Sequence, residues 1–151
     1  MAQILADLKL TSIGFRQGLD RLDAVYWSAQ HVRCFPRGAC GHAAELLGRY
    51  LRERLGIECT YVNGWIVTSN ERCSHTWLEY RALVIDITAD QFGMPAVFVG
   101  IPSDLYGLAS SVVRQGLSSD PGWWQQQCGA LWTALMLDEN LKGQARIFRL
   151  E

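Results

Sequence analysis

The sequence predicts an α+β fold in which helices pack against an antiparallel sheet. Two observations carry this. The stretch from Ala39 or Cys40 to Leu55 has the apolar spacing of one helix, and Gly56 stops it. Three segments rich in Thr, Tyr, Val, Trp and Ile then follow in close succession between Glu58 and Thr88, too close for the crossovers a parallel sheet needs. The 151 residues match the length of a single domain, spanning 1–151.

Taken in order, Ile13 to His31 reads as a first helix with Phe15, Leu19, Leu22, Val25 and Tyr26 as its apolar stripe. Cys34-Phe35-Pro36-Arg37-Gly38 breaks it. In the second helix Cys40, Ala43, Ala44, Leu47, Tyr50, Leu51 and Leu55 share one arc. Glu45, Gly48, Arg49, Arg52 and Glu53 fill the other, with Glu45–Arg49 and Arg49–Glu53 as i,i+4 pairs on the solvent side. Strands are expected at Glu58–Thr68, Ser74–Tyr80, Leu83–Thr88 and Ala96–Ile101, with Arg81-Ala82 turning the second into the third. Asp120-Pro121 reads as an N-cap with Pro at N1. The helix it opens runs to about Leu141 with Trp124, Cys128, Leu131, Trp132 and Leu135 on one face. Ala145–Leu150 reads as a last strand.

Composition narrows the function. A net charge of −1 excludes a protein built to coat phosphates, and 49% hydrophobic residues exclude disorder. No run of apolar residues is long enough to span a membrane. Met1–Ser12 carries Asp7 and Lys9 and lacks the order of a secretory signal, so a reduced, cytoplasmic protein is expected. Five cysteines cannot all pair within the chain, so at least one thiol is free.

Cys40 stands out among them. It opens the clearest helix, where first-turn N–H groups lack intrahelical partners and the macrodipole is positive. Both favour the thiolate, which is the nucleophilic form, and Arg37 is close enough in sequence to add to this. A cysteine nucleophile needs a base. Of three histidines, His31 lies in the preceding helix and His42 points away around the helix. His75, on a strand, remains. With a two-residue loop at Arg81-Ala82, Trp77 faces Asp86, and Asp86 is the diagonal neighbour of His75, about 7–8 Å away at the backbone. Asp86 lies inside the apolar run Leu83–Ile87 and so needs a partner. Asp90 is the alternative carboxylate; Glu79 is too far along the strand. Trp77 is expected beside His75, shielding its ring from water. The Cys40 N–H would form half of an oxyanion hole, with Gln30 and the Trp65 indole as candidate second donors.

Gly38-Ala39-Cys40-Gly41-His42-Ala43-Ala44, with its helix and the strand that follows, resembles the nucleophile helix of the transglutaminase-like, papain-like cysteine enzymes. Ser74-His75-Thr76-Trp77-Leu78-Glu79 resembles their His-Ala-Trp-Val-Glu strand, and Val84-Ile85-Asp86-Ile87-Thr88 their aspartate strand. The likeness covers Gly38 to Phe92. It departs in the short His75–Asp86 separation, in Ile87 where Pro is usual, and in the character of Thr88–Gly93. The resemblance implies a papain-like core with a catalytic Cys40–His75–Asp86 triad and no cofactor. It implies a protein or peptide substrate, with attack on a peptide bond or a glutamine side chain through a thioester. Water as acceptor of the acyl group gives hydrolysis or deamidation, and an amine gives transamidation. No nucleic-acid or membrane partner is implied.

Two other readings compete. A zinc module would draw on Cys34, Cys40, His42, Cys59, Cys73 and His75, although their spacing lacks the close pairs of structural zinc sites. A non-catalytic interaction domain would keep the fold and bury Cys40.

Overall fold

The computed structural model describes residues 1–149. It is α+β, with one five-stranded antiparallel sheet and, among the described residues, seven α-helices. The helices are α1 (Ala2–Arg21), α2 (Ala24–Ser28), α3 (Cys40–Leu55), α4 (Asp104–Gly107), α5 (Pro121–Gln127), α6 (Gly129–Met136) and α7 (Glu139–Arg149). The strands are β1 (Thr60–Val67), β2 (Arg72–Tyr80), β3 (Leu83–Asp86), β4 (Phe98–Gly100) and β5 (Ser110–Gln115), in the order β4-β3-β2-β1-β5. Among the described residues, no helix is long and apolar enough to cross a membrane.

Alternation along the strands divides the apolar side chains between two faces. Leu78 and Ile85 join the large core under α1, α3 and α6, with Leu8, Phe15, Leu47, Leu51 and Leu131. Val62, Ile66, Trp77, Val84 and Tyr106 form a second, smaller cluster on the other face. Helix α3 has the bounds expected, with Gly56 left-handed at its C-cap. The β2–β3 register is the one a two-residue loop requires: Tyr80 faces Leu83, Glu79 faces Val84 and Leu78 faces Ile85. Arg81 takes φ 55° to make that turn.

Several expectations are corrected. The first helix is not 13–31. It begins at Ala2, and the chain turns extended at Leu22 because Asp23 starts a new helix, accepting from the Val25 N–H at 2.9 Å. Leu8, Phe15 and Leu19 are buried, while Val25 and Tyr26 are exposed. The helix opened by Asp120 breaks at Cys128, and Cys128, Leu131 and Leu135 are its buried face. The expected strand at 145–150 is helical as far as Arg149, with Leu150 outside the described residues. Asp138 opens that helix by accepting from the N–H groups of Asn140 and Leu141, and Arg21 grips the same carboxylate at 2.8 and 3.0 Å. Strand β5 was not anticipated. Its side chains are almost all exposed, so no apolar alternation marks it.

The solvent face assigned to α3 is also corrected. Glu45 and Gly48 are buried beneath the segment that leads into α5. Glu45 accepts the Ser118 N–H at 3.1 and 3.2 Å, and Leu117 lies against Gly48. Arg49 pairs with Glu53 as expected, at 3.1 Å, and covers the rings of Trp124 and Trp132.

Candidate active site

The chain enters α3 through a tight reversal. Arg37 N–H donates to Cys34 O, Ala39 N–H donates to Pro36 O, and Gly38 takes φ 75°, a conformation costly for any residue with a Cβ. No side chain caps the helix. The first N–H of α3 to find a carbonyl is that of Ala43, on Ala39 O at 2.8 Å. The N–H groups of Cys40, Gly41 and His42 therefore stay open at the positive end of the helix.

Pairing between β2 and β3 ends at Leu78–Ile85, and the strands part below it. The start of α3 sits over this slit, which is lined by Cys40, Ala43, Thr76, Trp77, Asp86 and Thr88. His75 and Asp86 meet there. His75 Nε2 lies 2.7 Å from Asp86 Oδ2, and both residues are buried. The Asp86 carboxylate is further held by the Thr88 N–H at 2.9 Å, the Thr88 hydroxyl at 3.3 Å and the Tyr106 hydroxyl at 2.7 Å. A buried carboxylate must be satisfied in this way. His75 Nε2 is engaged by Asp86. The Cys40 thiol lies close enough to His75 for each group to shift the other.

The electrostatics follow. Burial opposes a Cys40 thiolate, but His75 and the backbone and hydroxyl of Thr76 outweigh it, so the thiol is lowered from its usual value. Burial equally opposes a charged His75 ring, but Asp86 and Cys40 outweigh it and raise the ring. The two shifts run in the directions that favour a thiolate–imidazolium pair. The other thiols differ. Burial pushes Cys59 and Cys128 up to about 12, and raises Cys73 as well.

The structure thus brings Cys40, His75 and Asp86 together. Asp90 lies elsewhere: Arg16, reaching from α1, clasps it through two bonds of 2.9 and 2.8 Å and also donates to Ile87 O at 2.7 Å. Glu79 pairs with Arg114 at 2.9 Å. His42 turns from Cys40 to Gln127. Gln30 donates to Gln126 O, and Trp65 lies under Arg72, so neither candidate oxyanion donor is seen at the thiol. Trp77 does stand beside His75, with ring centroids 6.0 Å apart, and Phe92 meets the same imidazole edge-on at 4.7 Å. Trp77 is also a buried member of the second apolar cluster, so its packing serves that face as well as its contact with His75. Of the zinc candidates, no three His, Cys, Asp or Glu side chains converge among the described residues, and Cys34 is exposed.

Three functional neighbours have no local sequence signal. Tyr106 comes from a four-residue helix after β4. Thr88 is expected from the sequence to end the strand, whereas β3 stops at Asp86 and Thr88 turns its N–H back to that carboxylate. Arg16 is hidden within a helical pattern. Asn63 was findable: the β1–β2 register sets it opposite Thr76, to which it donates at 2.9 Å. Two clefts lie nearby, neither lined by Cys40, His75 or Asp86. One, of about 280 Å³, is lined by Arg37, Glu71, Cys73, Gln91 and Phe92. The other, of about 370 Å³, is bordered by Tyr61, Gln115, Gly116 and Trp123.

Compared with known families and proteins, the chain matches no family model, no curated protein and no solved structure.

Proposed function

We propose that this chain is a cysteine-dependent acyl hydrolase or acyltransferase of the papain-like, transglutaminase-like type. The observation that carries the reading is the buried 2.7 Å His75–Asp86 dyad turned toward a thiol of lowered pKa at an uncapped helix start. Nucleophile, base and orienting carboxylate in that order are the parts of triad chemistry.

The Cys40 thiolate attacks an amide or acyl carbonyl, and the carbonyl electron pair moves onto oxygen. As it returns, the carbon–nitrogen bond breaks and the His75 imidazolium gives its proton to the departing nitrogen. A thioester on Cys40 remains. Water or an amine then attacks, His75 takes its proton, and the thiolate leaves. Asp86 keeps the ring oriented and stabilises its charge, and Tyr106 and Thr88 keep Asp86 in place. Water as acceptor makes a protease or deamidase; an amine makes a transglutaminase. The substrate is a protein or peptide presenting a glutamine side chain or a main-chain amide.

The test is labelling by iodoacetamide at pH 7 with each thiol identified by mass spectrometry. Cys40 should react faster than free cysteine, and His75→Ala should remove the advantage. Labelling of Cys59 in preference, or a Cys40 no faster than free cysteine, would refute the triad. Incubation with glutamine-containing peptides then separates the classes: a gain of about one mass unit marks deamidation, chain cleavage a protease, and amine incorporation a transglutaminase.

A further inference from the structure

We infer that the Tyr61 hydroxyl is the second oxyanion donor, completing with the Cys40 N–H the hole that receives the carbonyl oxygen of the substrate. This rests on the acyl-transfer reading above and adds a catalytic residue to it.

Tyr61 lies on β1, paired with Leu78 of β2 and Gln115 of β5. Its parity puts the ring on the α3 side of the sheet, and it packs at the edge of the large core. The hydroxyl comes up against the first turn of α3. A Cβ added to Gly41 would stand 3.1 Å from it, closer than ordinary packing allows. Gly41 is thus the residue that lets a phenol approach the helix start next to the nucleophile.

Thr76 lies between the two, and its hydroxyl neighbours both Cys40 and Tyr61. Asn63 donates to Thr76 Oγ1 at 2.9 Å, which takes one of that oxygen's two acceptor positions. The one Thr76 proton is left to point at Cys40 or Tyr61. Asn63 is itself fixed by donating to His75 O at 3.1 Å, so the chain of contacts is tied to the base. Burial raises the phenol and Thr76 lowers it, the sign of a hydroxyl that donates to the phenol oxygen, which leaves the Tyr61 proton for another acceptor. The phenol is a donor beside open helix N–H groups, on the edge of a cleft of about 370 Å³ that Glu45, Ser118, Asp120 and Trp123 also line. An oxyanion hole is a set of donors already in place where charge develops.

The test compares two reactions of the same thiol. Alkylation by iodoacetamide forms no oxyanion. Acylation by p-nitrophenyl acetate passes through one. Tyr61→Phe should slow acylation of Cys40 about a hundredfold while alkylation stays within about twofold of the parent, because removing one hole donor costs roughly 10²–10³ in rate. Gly41→Ala pushes the phenol back without removing it and should give the same split to a smaller degree. A thermal melt checks that each variant is folded, and Gly41→Ala keeps the question answerable if Tyr61→Phe is not. Acylation and alkylation falling together would assign Tyr61 to the thiolate, and an unchanged acylation rate would assign it to packing; either overturns the inference. A parent Cys40 that is inert to both reagents would overturn the acyl-transfer reading, and this assignment with it. A reactive Cys40 whose acylation ignores Tyr61 overturns this assignment alone.

Discussion

Tyr106 donates its phenolic proton to Oδ2 of Asp86 at 2.7 Å, the oxygen that also faces His75. The phenol reaches the carboxylate from the second apolar cluster, where its ring packs against Trp77 and Phe98. Burial and the neighbouring carboxylate both raise the phenol, so it stays a donor. Tyr106→Phe keeps the packing and deletes the bond. Urea unfolding at pH 7 should show a loss of about 1.5–3 kcal/mol, the usual worth of a hydrogen bond to a charged group. Cys40 alkylation should persist, since His75 keeps Asp86.

The pH profile of Cys40 alkylation follows from the pair. A free thiol gains about tenfold in rate per pH unit below its pKa. Burial opposes the Cys40 thiolate but His75 and Thr76 outweigh it, so its rate should level off below the usual cysteine value. His75, held by Asp86 and Cys40 against burial, is raised to about 9, so its proton is available for a leaving group up to that pH. Acyl transfer should therefore form a plateau bounded below by Cys40 and above near pH 9. In linkage terms the raised His75 stabilises the fold fully below its unfolded value and loses that contribution as pH climbs toward 9. His75→Ala should replace the plateau by the steady rise of an ordinary thiol.

Arg16 ties α1 to the segment after Asp86. Its side chain is 7% exposed and meets Asp90 and Asp20, and it donates to Ile87 O. Arg16→Ala should cost about 2 kcal/mol in chemical denaturation, since the lost bonds are charge-assisted but Asp90 still reaches water. The Arg16 bonds lower Asp90, so this part of the stability is present above the unfolded carboxylate pKa and is lost as pH falls through the folded one. The gap between parent and variant should narrow in acid.

Glu45 carries the opposite sign. Burial raises its carboxyl against the help of the Ser118 N–H and Arg52. A raised acid contributes stability below its unfolded pKa and loses it as pH rises through the folded value. Ionised Glu45 is therefore a burden at pH 7. Glu45→Gln should raise the melting temperature at pH 7, and the gain should shrink toward pH 4. A variant less stable at pH 7 would show that the bond to Ser118 outweighs the desolvation.

What could be read from the sequence was local. The start of α3 is written in Gly38 and its stop in Gly56. The His75–Asp86 neighbourhood follows from a two-residue loop and strict alternation. Asp120-Pro121 opens its helix as expected. The failures came where distant partners decide. Glu45 has the pattern of a surface residue until the 117–118 segment covers it. Strand β5 exists because β1 offers an edge, with no apolar rhythm of its own. The 145–149 segment is helical because Asp138 starts a helix whose Leu141 packs near Gly18 of α1. Tyr106 and Tyr61 come near the site only through tertiary structure, and residue spacing holds no trace of that.

The hairpin has a consequence for the order in which chemistry switches on. His75 and Asp86 are 11 residues apart, so base and carboxylate can meet as soon as β2 and β3 zip together. Cys40 belongs to a different layer and comes within their reach only when α3 docks on the finished sheet. The lowering of the Cys40 thiol against burial needs both layers, because the groups that cause it, His75 and Thr76, lie on β2. A chain in which α3 has left the sheet carries a thiol of ordinary acidity. On the triad reading the reactive thiol belongs to the packed molecule alone, and loss of fast alkylation reports that α3 has come away.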